Sequence, residues 1–140
     1  MKMKREIKYI VIHTTATHQT ATVENIQRYW KEKLGWNSPG YHRIIEPDGT
    51  INKLESFDKP TNGVKGHNRN SIHISYIGGI DKEGKSIDNR TPQQKAAIID
   101  CICEAIGYAG RRPFIQGHRD FEGVKKDCPC FDALEEYARI

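Results

Sequence analysis

Lys8-Tyr9-Ile10-Val11-Ile12-His13-Thr14-Thr15 is the stretch on which the fold turns. Its apolar run is too short for a helix, is rich in β-branched side chains and is closed by a Thr-rich segment. It therefore predicts a buried strand over Lys8 to His13. Outward from it the chain reads as a mixed α/β order. Thr22 is a good N-cap for a helix to about Leu34, with Val23, Ile26, Tyr29, Trp30 and Leu34 at helical spacing and Gly35 as its stop. Tyr41 to Ile45 and Thr50 to Leu54 are strands joined by Glu46-Pro47-Asp48-Gly49, which is hairpin chemistry.

Glu55 to Asn70 is polar and Gly-rich and reads as a surface loop, and Ser71 to Gly78 is a β-branched strand. Thr91-Pro92 opens a long helix through Ile98, Ile99, Ile102 and Ile106 to Gly107 or Gly110. Arg112 to Gln116 is a short strand, near an edge or at its own start because of Pro113, and Asp132 begins a final helix to Ile140. No repeat, linker or low-complexity segment interrupts this order. The expectation is an α/β single domain over residues 1–140, with a central mixed β-sheet of about five to six strands flanked by helices.

Two segments carry chemistry. His13 closes the first strand, and Gly117-His118-Arg119-Asp120 with Lys126-Asp127-Cys128-Pro129-Cys130-Phe131-Asp132 follows the last one. Imidazole and thiolate are the best zinc donors, and catalytic zinc sites use three protein ligands with the fourth position left to water. His13, His118 and Cys128 can supply such a set. A lone His or Cys is more often a packed or surface residue, but residues at strand ends and in adjoining loops converge on a cleft while the sheet holds them rigid. The wide separation of these ligands favours a site assembled by the fold over a zinc finger, whose ligands come in close pairs.

His13 within Val-Ile-His-Thr-Thr-Ala-Thr, Gly40-Tyr41-His42, Asn70-Ser71-Ile72 and Cys128-Pro129-x-Phe131-Asp132 occur in an order and at separations that resemble the type 2 N-acetylmuramoyl-L-alanine amidases, the family of phage lysozyme-like amidases and peptidoglycan recognition proteins. The resemblance runs from about Tyr9 to Asp132. It implies an amidase-like fold with one Zn2+ on His13, His118 and Cys128, and hydrolysis of the amide between the lactyl group of N-acetylmuramic acid and L-alanine of the stem peptide, either as a lytic, endolysin-like enzyme or in muropeptide recycling. It also implies catalytic roles for Tyr41, as a phenolic donor, and for Lys126, as an ammonium beside the metal. A strand Tyr is otherwise usually half in the core and a loop Lys usually solvated.

The chain departs from the family pattern where His73 replaces the Gly that follows Asn-Ser-Ile, and where Cys130 adds a second thiol after Cys-Pro. Gly63 and its neighbours stand where some members place another active-site His. His42, His67 and His73 are candidate substrate contacts or decoy ligands, and Asn70 a substrate contact. The general base is left unassigned. The alternative from another class is a non-catalytic peptidoglycan-binding module, whose signature is loss of the Cys ligand; Cys128 is present.

The 140 residues suffice for one core, and 36% hydrophobic with 29% charged residues read as soluble and globular. The net charge of +4 is modest and forms no like-charge block, which agrees with an anionic polymer such as cell wall and excludes a nucleic-acid tail. Expected partners are peptidoglycan or muropeptide, with no nucleic acid, no stable membrane association and a monomeric state. Met1 to Glu6 is charged, but the apolar run behind it is too short for a signal peptide, so synthesis and folding in the cytoplasm are expected, with wall access by a separate export or lysis route. There the four cysteines stay reduced, and Cys101 and Cys103 read as core or near-core thiols.

Overall fold

Strand β1 (Tyr9–Thr14) occupies an interior position in a five-stranded mixed sheet, flanked by β4 (Ser71–Tyr76) and β5 (Phe114–Gly117), both parallel to it. The computed structural model describes residues 5–140; Met1 to Lys4, part of the charged start of the chain, lie outside the described residues. Beyond β4 come β2 (Arg43–Ile45), parallel to it, and then the edge strand β3 (Ile51–Lys53), antiparallel to β2. The order is β3-β2-β4-β1-β5. Helices α1 (Val23–Glu32), α2 (Pro92–Ala109) and the single turn α3 (Ala133–Glu136) complete the fold.

Side-chain alternation along the strands divides the core in two. Ile10, Ile12, Ile72, Ile74 and Ile45 pack against Ala97, Ile98, Cys101, Ile102 and Ala105 of α2 and against Phe131 and Tyr137 near α3. On the opposite face Ile44 and Ile77 meet Val23, Ile26 and Trp30 of α1, while Val11 packs with Val64 and Phe121. Both long helices begin as their sequences demand. Thr22 and Thr91 each accept from the main-chain N–H three residues on, in reciprocal capping boxes with Asn25 and Gln94. Helix α2 ends on Gly110, whose φ of 76° a side chain would resist.

Several boundaries differ from expectation. The hairpin strands are shorter than Tyr41–Ile45 and Thr50–Leu54, and Tyr41 precedes β2, where Gly40 admits Trp30 so closely that a Cβ would stand 2.9 Å from the indole. His13 lies within β1, opposite Ser75, and the strand runs one residue beyond it to Thr14. The final helix stops after one turn because Arg112 side-chain N–H groups bind the carbonyls of Tyr137 and Ile140, drawing the end of the chain aside. Cys101 is buried as expected, but Cys103 is exposed: two positions on, a helix has turned about 200° from the core. Tyr29 and Trp30 likewise diverge, since adjacent helical residues are about 100° apart; Trp30 is buried and Tyr29 is 55% exposed.

Candidate active site

A strand, a turn and a loop bring distant sequence together at the C-terminal end of β1. His13 is supplied by the strand itself, at 1% exposure. His118 follows β5 directly in a 3-10 turn (His118–Asp120), fixed because the Gly117 N–H donates to the Asp120 carboxylate at 2.8 Å. Cys128 arrives on the loop before α3, and this loop is pinned to the turn by the Arg119 N–H bonding the Cys128 carbonyl at 2.8 Å. Gly117 makes the approach possible, since a Cβ there would be 2.5 Å from Pro129 Cδ.

The ligand atoms offered by His13, His118 and Cys128 all lie within 4.8 Å of one another. Cys128 Sγ is 3.7 Å from His13 Nδ1 and receives the Thr14 main-chain N–H at 3.2 Å. Burial holds His13 well below the usual imidazole range, with His73 and His118 adding to the effect, and burial followed by Lys126 brings His118 to about 4. Both rings are thus neutral near pH 7, with lone pairs to give. Burial pushes the Cys128 thiol up to about 12, against the opposing Thr14 N–H. Two neutral imidazoles and a thiol form a donor set suited to a divalent borderline-soft ion, and coordination would ionise the thiol.

Beside these groups runs a groove of about 720 Å³, lined by His118, Cys128, Lys126 and Tyr41, with Tyr29 and Trp36 among its apolar walls. This volume is in the range of ligand sites. The Tyr41 ring packs 4.8 Å from that of His13, and its hydroxyl makes one long bond of 3.5 Å to the Thr14 carbonyl. Burial, then the nearby Cys128, raises the phenol well above its ordinary range. It therefore keeps its proton and acts as a donor.

The four expected substrate contacts do not line this groove, and each has a physical reason. His42 is 0% exposed: its Nε2 bonds the Lys59 carbonyl at 2.7 Å and its Nδ1 the His73 N–H at 3.0 Å. His73 is also 0% exposed, with its Nδ1 2.8 Å from His13 Nε2 and its Nε2 2.9 Å from Asn68 Oδ1. His67 packs against Tyr9 and Phe121, and Asn70 donates to the Glu6 carbonyl at the far end of β4. Sequence reading missed Trp36 and Asn62 as groove residues and gave Tyr29 and Leu34 only as part of the helical spacing of α1. The available signal was an apolar stripe on α1 too wide for one face.

The N-acetylmuramoyl-L-alanine amidase family pattern matches residues 3–131. An endolysin of Klebsiella phage KP32 is 34% identical over 131 residues, which cover 92% of this chain and 84% of that protein. Among solved structures, the endolysin N-acetylmuramoyl-L-alanine amidase LysCS from Clostridium intestinale superposes with a TM-score of 0.77 at 24% identity, covering 94% of this chain and 80% of that one. Apis mellifera PGRP-SA gives a TM-score of 0.77 at 22% identity, covering 96% and 82%.

Proposed function

The chain belongs to the N-acetylmuramoyl-L-alanine amidase family, and from that premise we propose that it is a zinc-dependent peptidoglycan amidase of the lytic, endolysin type. The bond cut is the amide between the muramoyl lactyl group and L-alanine of the stem peptide. The observation that carries the zinc reading is the convergence of His13, His118 and Cys128, the latter two at the wall of the groove. Zinc bound there would supply Lewis acidity, polarising the amide carbonyl and making water nucleophilic near neutral pH.

The chain's own residues do the rest. The groove holds the glycopeptide along its aromatic wall, with Tyr29 and Trp36 offering faces to sugar and stem peptide. Tyr41 donates a hydrogen bond from its phenol to the carbonyl oxygen, a role its long bond to Thr14 leaves open. The Lys126 ammonium faces the same groove and stabilises negative charge as it develops on that oxygen. The intact ligand set, Cys128 included, favours catalysis over a purely recognising module. In this reading the protein acts on the wall after release from the cell that makes it; no helix among the described residues is long and apolar enough to cross a membrane.

Incubation of purified muropeptides with the protein, with and without chelator, tests the proposal by mass spectrometry. Free stem peptide with a new L-alanine amine, formed only without chelator, is the expected result. Cleavage elsewhere, no cleavage, or cleavage indifferent to chelator would overturn it.

A further inference from the structure

The hydrogen-bond polarity around His73 can be worked out from one fixed donor. The Val64 main-chain N–H meets the Asn68 side chain at 2.8 Å, so the amide atom there is its oxygen, Oδ1. The same oxygen lies 2.9 Å from His73 Nε2 and has no proton to give, so Nε2 carries the hydrogen. In a neutral ring His73 Nδ1 is then bare, and it faces His13 Nε2 at 2.8 Å. His13 must donate from Nε2, which leaves its Nδ1 lone pair free on the side of Cys128 Sγ, 3.7 Å away. A second proton on His73 would bury a charge at 0% exposure between an imidazole and an amide, a costly arrangement.

The position of the ring is as constrained as its protonation. A Cβ on residue 63 would fall 2.2 Å from His73 Nδ1, so the loop main chain closes on the imidazole only because Gly63 has no side chain. His73 and Gly63 form a matched pair behind the ligand.

We propose that His73 is a positioning residue: by accepting a hydrogen bond from His13 Nε2, with Asn68 setting the direction of the relay, it locks His13 in the tautomer whose Nδ1 lone pair faces Cys128. The proposal rests on the metal reading above. Ligating histidines ordinarily hold their second nitrogen on a carboxylate, carbonyl or water, and removing such a partner lowers metal affinity by about 10- to 100-fold. Here an imidazole takes that place.

Two variants and two measurements test this. Long-range 1H–15N spectra of the metal-free parent protein should show His13 protonated at Nε2 and bare at Nδ1. His73→Leu should lose that preference and weaken zinc binding by about 10- to 100-fold in competition with a chromophoric chelator. His73→Asn places an acceptor oxygen near the site of Nδ1 and should restore both toward the parent, which a purely space-filling role would not predict. A parent His13 protonated at Nδ1, or a His73→Leu protein that binds zinc as tightly as the parent, would overturn the proposal. Should His73→Leu fail to fold, the parent tautomer and the His73→Asn affinity still decide it. A parent that binds no zinc sinks the metal reading itself, while the tautomer, read without metal, still decides whether His73 orients His13.

Discussion

On the α2 side of the sheet Ile10, Ile12, Ile72 and Ile74 are sealed against other hydrocarbon, whereas one residue along the same strands Val11, His13, His73 and Ser75 are as deeply buried on the α1 side. The first face asks only for volume and apolarity, since dispersion and the hydrophobic effect are non-directional. The second face must place its polar atoms against directed partners, and for its histidines does so through the relay Asn68–His73–His13, while the Ser75 hydroxyl is left without one. Burial alone therefore does not distinguish scaffold from site. What distinguishes them is whether the buried groups need directed partners.

The largest expected effect breaks the second face alone. His118→Ala and Cys128→Ser should each lose bound zinc and reduce muropeptide cleavage to background, because an open site with three protein ligands does not survive the loss of one. Both residues are only half-buried, so the proteins should still fold. Metal analysis beside circular dichroism checks this, and full zinc occupancy in either variant would remove that residue from the ligand set. The converse experiment breaks the first face. Ile102→Ala deletes a fully buried side chain from α2 and should cost about 2–5 kcal/mol in urea unfolding, while the folded fraction binds zinc like the parent.

Lys126→Ala sharpens the comparison within the site. An ammonium that acts on the transition state contributes nothing to the core, so zinc content and unfolding midpoint should hold while kcat falls about 10²- to 10³-fold. Tyr41→Phe run in parallel isolates the phenol. Turnover near the parental rate in both would strip these residues of the roles given to them.

The first face was largely legible in the sequence, because Thr91-Pro92, the isoleucine spacing of α2 and the β-branched strands all point to one packing. The meeting of His13, His118 and Cys128 was legible too, through their placement near strand ends and the family resemblance. The mutual arrangement of the histidines was not. Strand parity puts His73 and His13 on one face, but only the parallel pairing of β1 with β4 and the absence of a Cβ at Gly63 bring the rings together. His42 looked like a substrate contact because polarity suggests exposure; its nitrogens are instead taken by main-chain groups of segments remote in sequence. The groove walls were missed because periodicity cannot tell an apolar face turned to the core from one turned to a ligand.

Acid should separate the two faces again. Burial lowers His42 from an ordinary 6.5 to about 4 and lowers His13, His73 and His118 in the same direction. The native protein thus binds fewer protons than the unfolded chain between those values, so stability is fully present above pH 6.5 and is lost as pH falls toward 4. For His42 alone the loss is about 3 kcal/mol. On the α2 face the Cys101 thiol, pushed up to about 12 by burial, stays neutral throughout and adds nothing. Urea midpoints of the metal-free protein should fall across this window. A flat profile would mean that the buried rings are not held neutral.

The smallest effect concerns two thiols two residues apart. Cys128 lies against His13 and Thr14, whereas the backbone turns at Cys130, whose φ is 72°, with its N–H bonded to the Asp127 carbonyl. That left-handed turn sends the Cys130 thiol to the Gly79 carbonyl, 3.5 Å away and off the ligand cluster. A serine hydroxyl can make the same contact. Cys130→Ser should therefore keep zinc at one equivalent and change the unfolding free energy by no more than about 0.5 kcal/mol, as for a surface substitution. If Cys130→Ser instead loses the metal while Cys128→Ser retains it, the ligand sits two residues later, and the orientation of His13 toward Cys128 loses its purpose.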